Sequence, residues 1–513
     1  MKTERSPSVF LLLVLLAAAT FAQVKPAEYA PDELLVRFAP GRNHAAKTRA
    51  IGRAGAELAE EMGDLRWVRV RLPKGTSVEQ AIKSFNAAGE VEAVQPNFYY
   101  HLLSTPNDAL WDSLYGMVKI SAPAAWDLTT GSQAVVVADI DTGIRYTHED
   151  LAANMWTNPG EIPGNGVDDD GNGFADDYYG FDFRYNDPDP LDEHGHGTHT
   201  AGTIGAVGNN GLGVAGVNWN VKLMAIKIYS NTATDTTSAM LINAYNYVRM
   251  MKNRGVNIRV TNNSYGGCSE ACGYDQATKD AIDALGDAGV LNVFAAGNSA
   301  ANNDTPSTAE YPASYDSPSI LSVAASDQTD AKPGFSNYGP ISVDLAAPGL
   351  SIQSTTFSSN SSYGFLSGTS MSAPHVSGAA ALLAALNPSL SAASLKATLM
   401  NSVDELPAWS GVVRSGGRLN VSAALRNQTV CTFVPSGSPM KVRRKGGIFT
   451  VNLTPGKNCD YMVKSNAHWI SLMSVATFSG DGALTFRVAT SPTVMRSGTI
   501  SIGGQTFTIS QSN

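Results

Sequence analysis

Between residues 107 and 426, short apolar runs alternate with stretches of helical periodicity. This pattern limits the fold more than any other feature, because a strand that is apolar throughout must be buried on both faces. Such strands are typical of parallel sheets covered by helices on both sides. The sequence therefore predicts an α/β domain with a central parallel sheet. The predicted strands span residues 134–138, 221–228, 258–261, 290–295 and 320–324.

Two regions of different character flank this domain. Residues 30–100 follow the order strand, helix, strand, helix, strand, which predicts a small α+β domain. Beyond residue 426 the helical pattern stops, and the chain becomes rich in Thr, Val, Phe, Ser and Gly, which predicts a separate all-β domain. The predicted domains span residues 23–105, 106–427 and 428–513.

The first 22 residues have the pattern of a secretory signal peptide. Lys2 and Arg5 precede an apolar run over residues 9–19, and Ala22 ends the segment on a small residue. The run is too short to span a bilayer stably, so we expect cleavage and a secreted, extracellular protein; an uncleaved anchor is the alternative. No later segment is apolar enough to be a transmembrane helix. The net charge of −9 and the lack of a Lys/Arg block in the main body disfavour a nucleic acid partner.

The chain has four cysteines, which fits an oxidising destination. Cys268 and Cys272 are close enough to close a small loop, which leaves Cys431 and Cys459 as the other pair. Four cysteines allow three pairings, and the sequence alone does not choose among them. A cysteine metal site is disfavoured, because the spacings lack a CxxC pair.

Three motifs supply the groups that nucleophilic catalysis by serine requires: a hydroxyl, an imidazole that takes its proton, and a carboxylate that orients the imidazole. Asp141 ends a buried strand and is followed by Thr-Gly; alone, this is an ordinary turn. His196 lies in a Gly-rich motif with small neighbours. Ser370 precedes a stretch of small residues, and we expect it at the N-terminus of a buried helix, where the helix dipole stabilises an oxyanion.

The histidine motif contains three histidines, which raises the alternative of a metal site. The spacing of His194, His196 and His199 does not gather them on one helical face. We therefore interpret His194 and His199 as structural or peripheral.

Taken together, Asp141-Thr-Gly, His196-Gly-Thr-His and Gly368-Thr-Ser-Met, in the order Asp, His, Ser, resemble the subtilisin family (subtilases). The resemblance runs from about residue 107 to 425 and implies a subtilisin-like three-layer fold and a serine endopeptidase acting on polypeptides. It also implies that Asn298 donates a side-chain hydrogen bond to the oxyanion. The Ser264, Tyr265, Gly266 and Gly267 segment would pair with the extended substrate.

Glu310 aligns near the base of the first specificity pocket. A buried acid there would favour substrates with Lys or Arg, whereas the alternative is a solvated loop carboxylate.

An acidic loop over residues 165–177 is the second distinctive feature. Asp168, Asp170 and Asn172 alternate before a Gly, and Asp176 follows, as in the first part of an EF-hand-type calcium loop. Tyr179 stands at the twelfth position of the loop, where an EF-hand has a bidentate Glu, and Asp177 is the candidate to replace that ligand. We expect calcium, because so many close carboxylates repel one another unless neutralised; a solvated acidic turn is the alternative. The family resemblance implies a second structural calcium site with Asp150, Asn209 and Asp108 as candidate ligands.

The flanking domains carry resemblances of their own. Residues 30–100 resemble the subtilase propeptide, an inhibitory chaperone, so the chain is expected to be a zymogen that cleaves itself between His101 and Pro106; a permanent accessory domain is the alternative. Cys431, Cys459, the Trp469 segment and the strand over residues 505–511 resemble the BACON family of immunoglobulin-like domains. That resemblance implies a carbohydrate or protein ligand, although a lone Trp in a small sandwich is more often core.

The resemblance leaves two alternatives to a hydrolase. One is a binding or adhesion protein on an inactive subtilase scaffold, although the triad motifs and the oxyanion donor are all present. The other is a peptide ligase, which would share the same triad.

Overall fold

A computed structural model describes residues 29–87, 90–99, 105–266, 274–433, 438–491 and 495–512. The predicted signal peptide and the residues immediately after His101 therefore lie outside the described residues, as do Gly267, Cys268 and Cys272. The chain divides into two compact units, Met1–Leu102 and Leu103–Asn513.

The first unit is a small α+β domain, as the order of periodic segments predicts. Its elements are β1 (Tyr29–Phe38), α1 (His44–Arg53), β2 (Glu57–Glu61), β3 (Trp67–Arg71), α2 (Val78–Asn86) and β4 (Val91–Phe98). The strands pair antiparallel in the order β2-β3-β1-β4. Alternate residues of β1, Leu34, Val36 and Phe38, are buried against the helices. The prediction missed β2, because its mostly exposed, acid-rich sequence has no apolar alternation.

The second unit is built on a large sheet, and the strands over residues 352–355 and 363–366 form a separate antiparallel pair. The strands and helices up to residue 426 follow in chain order. They are α3 (Tyr115–Lys119), α4 (Ala122–Trp126), β5 (Gly131–Asp141), β6 (Gly180–Asp182), α5 (His196–Gly205), β7 (Asn220–Lys227), α6 (Ser238–Asn253), β8 (Ile258–Asn263), α7 (Gln276–Asp287), β9 (Leu291–Ala295), β10 (Ile320–Ser326), β11 (Leu345–Pro348), β12 (Ile352–Thr355), β13 (Tyr363–Leu366), α8 (Thr369–Leu386), α9 (Ala392–Asn401), β14 (Asp404–Glu405), β15 (Gly417–Arg418) and α10 (Val421–Arg426).

The large sheet has the order β14-β15-β11-β10-β9-β8-β5-β7-β6 within the described part of the chain. Its pairs are parallel except for β14 with β15. One face packs on α5, α8 and α9, and the other packs on α6 and α7. The predicted three-layer fold with a parallel core is therefore confirmed. β5 lies between β7 and β8, so the strand order of the sheet reverses direction at β5. In open α/β sheets, ligands bind at the carboxyl ends of the strands at such a switch point.

The C-terminal region is all β, as predicted. Its strands are β16 (Met440–Arg443), β17 (Gly447–Leu453), β18 (Asp460–Ser465), β19 (Ile470–Leu472), β20 (Thr477–Ser479), β21 (Gly482–Val488), β22 (Arg496–Ile502) and β23 (Gln505–Ser512). They form two groups, β16-β23-β22-β18-β20 and β17-β21-β19, around a shared apolar core. A disulfide joins Cys431 to Cys459, which is one of the pairings that the sequence leaves open.

Within the described residues, none of the helices combines the length and the apolar character needed to cross a lipid bilayer.

Candidate active site

Asp141 is the last residue of β5, at the carboxyl edge of the sheet. Its side chain is 2% exposed, and one carboxylate oxygen accepts a hydrogen bond of 2.7 Å from the backbone N–H of Thr142. The two carboxylate oxygens lie 2.8 and 2.9 Å from Nδ1 of His196. Because a carboxylate only accepts hydrogen bonds, Nδ1 carries the proton, and Nε2 of the neutral ring is left as the acceptor.

His196 begins α5, and a second buried acid holds the chain that leads into this helix. Asp192 accepts hydrogen bonds from the backbone N–H groups of His194, Gly195 and Thr198 and from the Thr142 hydroxyl. A carboxylate that accepts several N–H groups at a helix N-terminus both caps the helix and fixes its entry angle. Asp192 is not among the residues predicted from the sequence, although it lies only four residues before His196.

The environment of His196 favours a protonated ring more than water does. Burial acts to lower the pKa of His196, but the charge and hydrogen bond of Asp141 outweigh it, so the pKa is raised above its ordinary value. The side chain remains 23% exposed, so it is open to a substrate. By contrast, His199 is buried, its Nε2 lies 2.9 Å from the Ile352 carbonyl oxygen, and burial lowers its pKa to about 4.

Ser370 is the second residue of α8, as predicted, and is partly buried. Its hydroxyl donates a 2.9 Å hydrogen bond to the backbone carbonyl of Ser264, and the Ser264 hydroxyl donates in return to the Ser370 carbonyl at 2.9 Å. These two bonds join the N-terminus of α8 to the end of β8. The helix is apolar and buried over most of its length, so its N-terminal dipole acts in a poorly hydrated setting.

Asn298 follows β9 and lies beside the start of α8. Its amide oxygen accepts hydrogen bonds from the backbone N–H of Thr369 at 2.8 Å and from the Thr369 hydroxyl at 3.1 Å. This arrangement fixes which end of the amide is the acceptor, and it leaves the exposed Nδ2 group as a donor next to Ser370. Such a donor can stabilise negative charge that develops near the serine hydroxyl.

Glu310 lies against the segment that follows β8. Tyr265 turns inward, where its hydroxyl lies 2.6 Å from that of Tyr245, and Gly266 is exposed. A Cβ atom built on Gly266 would lie 2.4 Å from a carboxylate oxygen of Glu310, and one on Gly297 would lie 3.0 Å from its Cγ. Glu310 is half-buried, and burial raises its pKa.

The acidic loop gathers three carboxylates, one of which was not predicted from the sequence. Oxygen atoms of Glu161, Asp168 and Asp170 all lie within 4.8 Å of one another. Glu161 precedes the predicted loop, and its own carboxylate also accepts three backbone N–H groups of that loop. Asn172 donates its amide to Asp170 and Asp177. Asp176 lies differently, because its oxygens accept the backbone N–H groups of residues 164–166.

The residues of the second predicted cation site also converge. Asp108 accepts a 2.6 Å hydrogen bond from the Asn209 backbone N–H, while Asp150 accepts from the Asn210 amide and the Val214 backbone N–H. Burial raises the pKa of Asp108, and the charge of Asp150 adds to that shift. The second carboxylate oxygen of Asp108 is buried and has no hydrogen-bond partner among the described residues.

Comparisons with known proteins agree with this geometry. The model of the subtilase family matches residues 132–429, which is more than half of the chain. The chain belongs to the subtilase family. It is a subtilisin-like serine protease, and a second family model, the fervidolysin N-terminal prodomain, matches residues 16–97 of the same chain.

Individual subtilases are similar over most of their length. The chain is 37% identical to thermitase of Thermoactinomyces vulgaris over 63% of this chain and 99% of that protein. It is 32% identical to a thermophilic serine proteinase of Bacillus sp. strain AK1 over 69% of this chain and 78% of that protein. A crystal structure of a cold adapted subtilisin-like serine proteinase matches at 28% identity and a TM-score of 0.44, over 57% of this chain and 92% of that chain.

The C-terminal domain of this subtilase buries its tryptophan, and its resemblance to the BACON family stays a prediction. Trp469 is 8% exposed, and a Cβ on Gly498 would lie 2.6 Å from its ring. The guanidinium of Arg496 lies 4.2 Å from the ring centroid. Trp469 is therefore a core residue with its face covered, and it is not available to stack on a sugar.

Proposed function

We propose that this subtilase is a secreted endopeptidase in which Ser370 is the nucleophile, His196 the general base and acid, and Asp141 the carboxylate that orients His196. The observation that supports the assignment best is the Asp141–His196 pair at 2.8 Å, which selects the imidazole tautomer with a free Nε2. In the reaction, Ser370 Oγ attacks the carbonyl carbon of the scissile peptide bond, and its proton passes to Nε2 of His196. The Ser370 hydroxyl must first turn from the Ser264 carbonyl.

The tetrahedral intermediate carries a negative charge on the former carbonyl oxygen. The Asn298 Nδ2 group and the N-terminus of α8 stabilise that charge. The C–N bond then breaks, and His196 returns its proton to the leaving amine, which leaves an acyl-enzyme on Ser370. His196 takes a proton from a water molecule, which attacks the acyl carbon. The bond from this carbon to Ser370 Oγ then breaks, and His196 returns the proton to Oγ, which releases the carboxylic acid and restores the Ser370 hydroxyl.

The decisive experiment measures hydrolysis of casein and of a fluorogenic peptide by the matured protein. We expect hydrolysis that a serine-directed covalent inhibitor abolishes, with one inhibitor attached to Ser370. The Ser370→Ala protein should be inactive and folded. If the matured protein does not hydrolyse either substrate, or if inhibitor leaves the rate unchanged, the assignment is wrong and an inactive binding protein becomes the better description.

We further propose residues 1–22 as a removed signal peptide and residues 23–105 as an inhibitory propeptide of the peptidase domain 106–427, with residues 428–513 as an accessory domain. The match of residues 16–97 to the fervidolysin N-terminal prodomain supports the inhibitor role. Self-cleavage is expected between His101 and Pro106. The full chain with Ser370→Ala should therefore remain unprocessed when produced alone, and its maturation without added protease would contradict self-cleavage.

The substrate segment is proposed to consist of Ser264 to Gly267, with Glu310 selecting Lys or Arg at the position before the cleaved bond. The contact of Glu310 with Gly266 and its half-buried carboxylate support this role. Burial is the only cause of the raised pKa of Glu310, and no cationic side chain among the described residues acts to lower it. We expect higher kcat/KM on Arg than on Phe substrates, and loss of that preference in Glu310→Gln. Equal rates on both substrates in the parent protein would contradict it.

Calcium is proposed as a structural cofactor at two sites. Glu161, Asp168 and Asp170, with Asn172, supply hard oxygen donors of the type that calcium prefers at the first, and Asp176 supports its loop. Asp150, Asn209 and Asp108 would hold the second, where the unpartnered Asp108 oxygen is a ready ligand. Calcium should raise the melting temperature, and chelator should lower it; Asp168→Asn and Asp108→Asn should each remove part of that response. A melting temperature insensitive to chelator would exclude both sites.

A further inference from the structure

Asp139 is a buried acid that the proposed mechanism does not use. It lies two residues before Asp141 on β5, so both side chains project from the same face of the strand. Asp139 is 0% exposed. A second carboxyl group so close to the triad acid needs a physical explanation, because an unpaired buried charge is expensive.

Asp139 contacts the helix that carries His196. The Thr200 hydroxyl, one helical turn after His196, lies 2.9 Å from one Asp139 oxygen. The other Asp139 oxygen accepts a 2.9 Å hydrogen bond from the amide of Asn262, which stands directly opposite Asp139 on β8. Asp139 thus joins β5 to both α5 and β8.

The network continues to the helix that carries Ser370. The Asn262 amide oxygen accepts from Ser377 of α8 at 2.9 Å, and its amide nitrogen donates to the Ser264 hydroxyl at 3.0 Å. Ser264 in turn bonds the backbone carbonyl of Ser370. All three elements that carry the proposed triad are therefore connected through Asp139 and Asn262.

The contacts of the Thr200 hydroxyl indicate the protonation state of Asp139. The Thr200 hydroxyl oxygen lies 2.9 Å from Asp139 and also 2.9 Å from the Gly197 carbonyl oxygen. A hydroxyl carries one proton, and a carbonyl oxygen only accepts. Two separate hydrogen bonds require a protonated Asp139, which donates to Thr200 while Thr200 donates to Gly197; an ionised Asp139 would leave Thr200 to share its one proton between two acceptors.

The surrounding charges favour the same state. On its own strand Asp139 faces Asp141, and on α5 it faces His196, whereas β8 and α8 contribute the neutral Asn262 and Ser377. On β7, Lys227 stands opposite Asp141 but pairs with Asp182 and Glu193. Burial, followed by the charge of Asp141, raises the pKa of Asp139 well above its ordinary value.

We propose that Asp139 is a positioning residue held as a neutral carboxylic acid, which donates to Thr200 and so fixes α5 and His196 relative to Asp141. The proposal rests on the proposed function only for the roles of Asp141 and His196. A neutral donor at this position ties the helix to the strand without placing a second negative charge beside Asp141. An ionised Asp139 would instead repel Asp141.

The protonation state can be measured without enzymatic activity. Full-length Ser370→Ala protein, labelled with ¹³C at the aspartate carboxyl carbons, is compared at pH 7 with the same protein carrying Asp139→Asn. We expect the second variant to lose a signal with the chemical shift of a protonated carboxyl group. Loss of a signal from an ionised carboxylate would overturn the proposal. If Asp139→Asn does not fold, Thr200→Val is used to identify the Asp139 signal through its displacement.

The positioning role is tested in the active protein by kinetics. Asp139→Leu should lower kcat by about 10-fold or more with little change in KM, because a displaced base slows the chemical step. Asp139→Asn should recover most of that loss and keep the midpoint of the acidic limb of kcat/KM, since it replaces one neutral group by another. A midpoint that moves to lower pH in Asp139→Asn would indicate a lost charge and overturn the proposal.

Thr203→Val is the matched control for Thr200→Val. Both threonines are buried on α5, but among the described residues the Thr203 hydroxyl bonds only the His199 carbonyl of its own helix. We expect Thr200→Val to lower kcat and Thr203→Val to leave it unchanged. Equal effects of the two substitutions, or an unchanged kcat in Asp139→Leu, would contradict the positioning role. Lack of hydrolysis by the parent protein would refute the proposed function, and the carboxyl signal would still decide the state of Asp139.

Discussion

At the scale of single residues, the site depends on which atom of each polar side chain is already occupied. Asp141 takes up Nδ1 of His196, and Thr369 takes up the amide oxygen of Asn298. Each contact leaves the opposite end of the side chain available, a ring nitrogen in one case and an amide N–H in the other. The neighbours therefore determine how these groups can act on a substrate.

Asn298→Leu should lower kcat by about 10²–10³, the range measured for the same loss in subtilisin, with a much smaller change in KM. The reason is that the Nδ2 donor meets the oxygen only when it carries the negative charge of the intermediate. Steady-state kinetics on a peptide substrate measures the effect. Ser299→Ala, an exposed neighbour, is the control, and a rise in KM at constant kcat would show that Asn298 binds the ground state instead.

The pH dependence of kcat/KM should reflect the raised pKa of His196. A general base acts only when it is neutral, so activity should rise with pH through that pKa, with a midpoint above the ordinary histidine value of about 6.5. The measurement uses an uncharged peptide, so that substrate titration does not contribute. A midpoint below the ordinary value would mean that the burial of His196 outweighs the charge of Asp141.

At the scale of secondary-structure elements, close packing of α5 on the end of β5 brings His196 to Asp141. Gly197 makes this approach feasible, since a Cβ atom there would lie 2.2 Å from the carbonyl oxygen of Gly143. The same glycine donates its N–H to the hydroxyl of Thr142 at 2.9 Å. The Gly-rich character of the histidine motif thus has a steric cause.

Gly197→Ala should displace α5 and lower both activity and stability, the latter by about 1–3 kcal/mol as for other overpacked sites. Thermal unfolding and peptide hydrolysis measure the two effects. Gly334→Ala is the control, because nothing lies within 4 Å of a Cβ at that position. Normal activity of Gly197→Ala would mean that the strand edge relaxes without moving His196.

At the scale of the whole second unit, α9 ties the peptidase domain to the C-terminal β domain. Lys396 of α9 lies 2.9 Å from Asp460 of β18, and Arg414 makes two hydrogen bonds to the same carboxylate at 2.8 and 2.9 Å. Asp344 lies beside both cations. Lys396 and Asp460 are almost fully buried, so the cluster is a desolvated ion-pair network and not a surface feature.

Asp460→Asn should lower the free energy of unfolding by about 3 kcal/mol at pH 7, because it leaves the buried Lys396 and the partly buried Arg414 with a single carboxylate. Burial acts to raise the pKa of Asp460, but Lys396 and Arg414 outweigh it and lower the pKa below its ordinary value. A group with a lowered folded-state pKa stabilises the fold above its unfolded-state pKa, and that contribution is lost as the pH falls.

The difference in the free energy of unfolding between the parent protein and Asp460→Asn should therefore shrink as the pH falls below about 4. Urea unfolding of inhibitor-treated protein at a series of pH values measures it. Asp280→Asn, at an exposed position of α7, should change stability little at any pH. A difference between parent and Asp460→Asn that is independent of pH would show that the cluster acts through packing alone.

Sequence by itself determined the architecture of each region. Apolar runs placed β5, β7, β8, β9 and β10 to within a few residues, and the small-residue run after Ser370 indicated a buried helix, whereas the short parallel strands β6, β11 and β15 were not predicted. These features follow from local periodicity, which the chain carries wherever it folds. The three triad motifs likewise identified the family that the comparisons show. The signal peptide, the cleavage point, the Cys268–Cys272 pair and the boundaries stay predictions.

Only the tertiary structure decided which distant polar groups meet. Glu161 joins the acidic loop, Asp192 holds the start of α5, and Asp139 connects three elements, although the sequence around each shows only an ordinary acid. The acidic loop itself was predicted, but Asp176 accepts hydrogen bonds from backbone N–H groups and does not join the cluster of carboxylates. The physical reason is that hydrogen bonds between remote residues depend on how helices pack on the sheet, and periodicity within one segment carries no information about that packing.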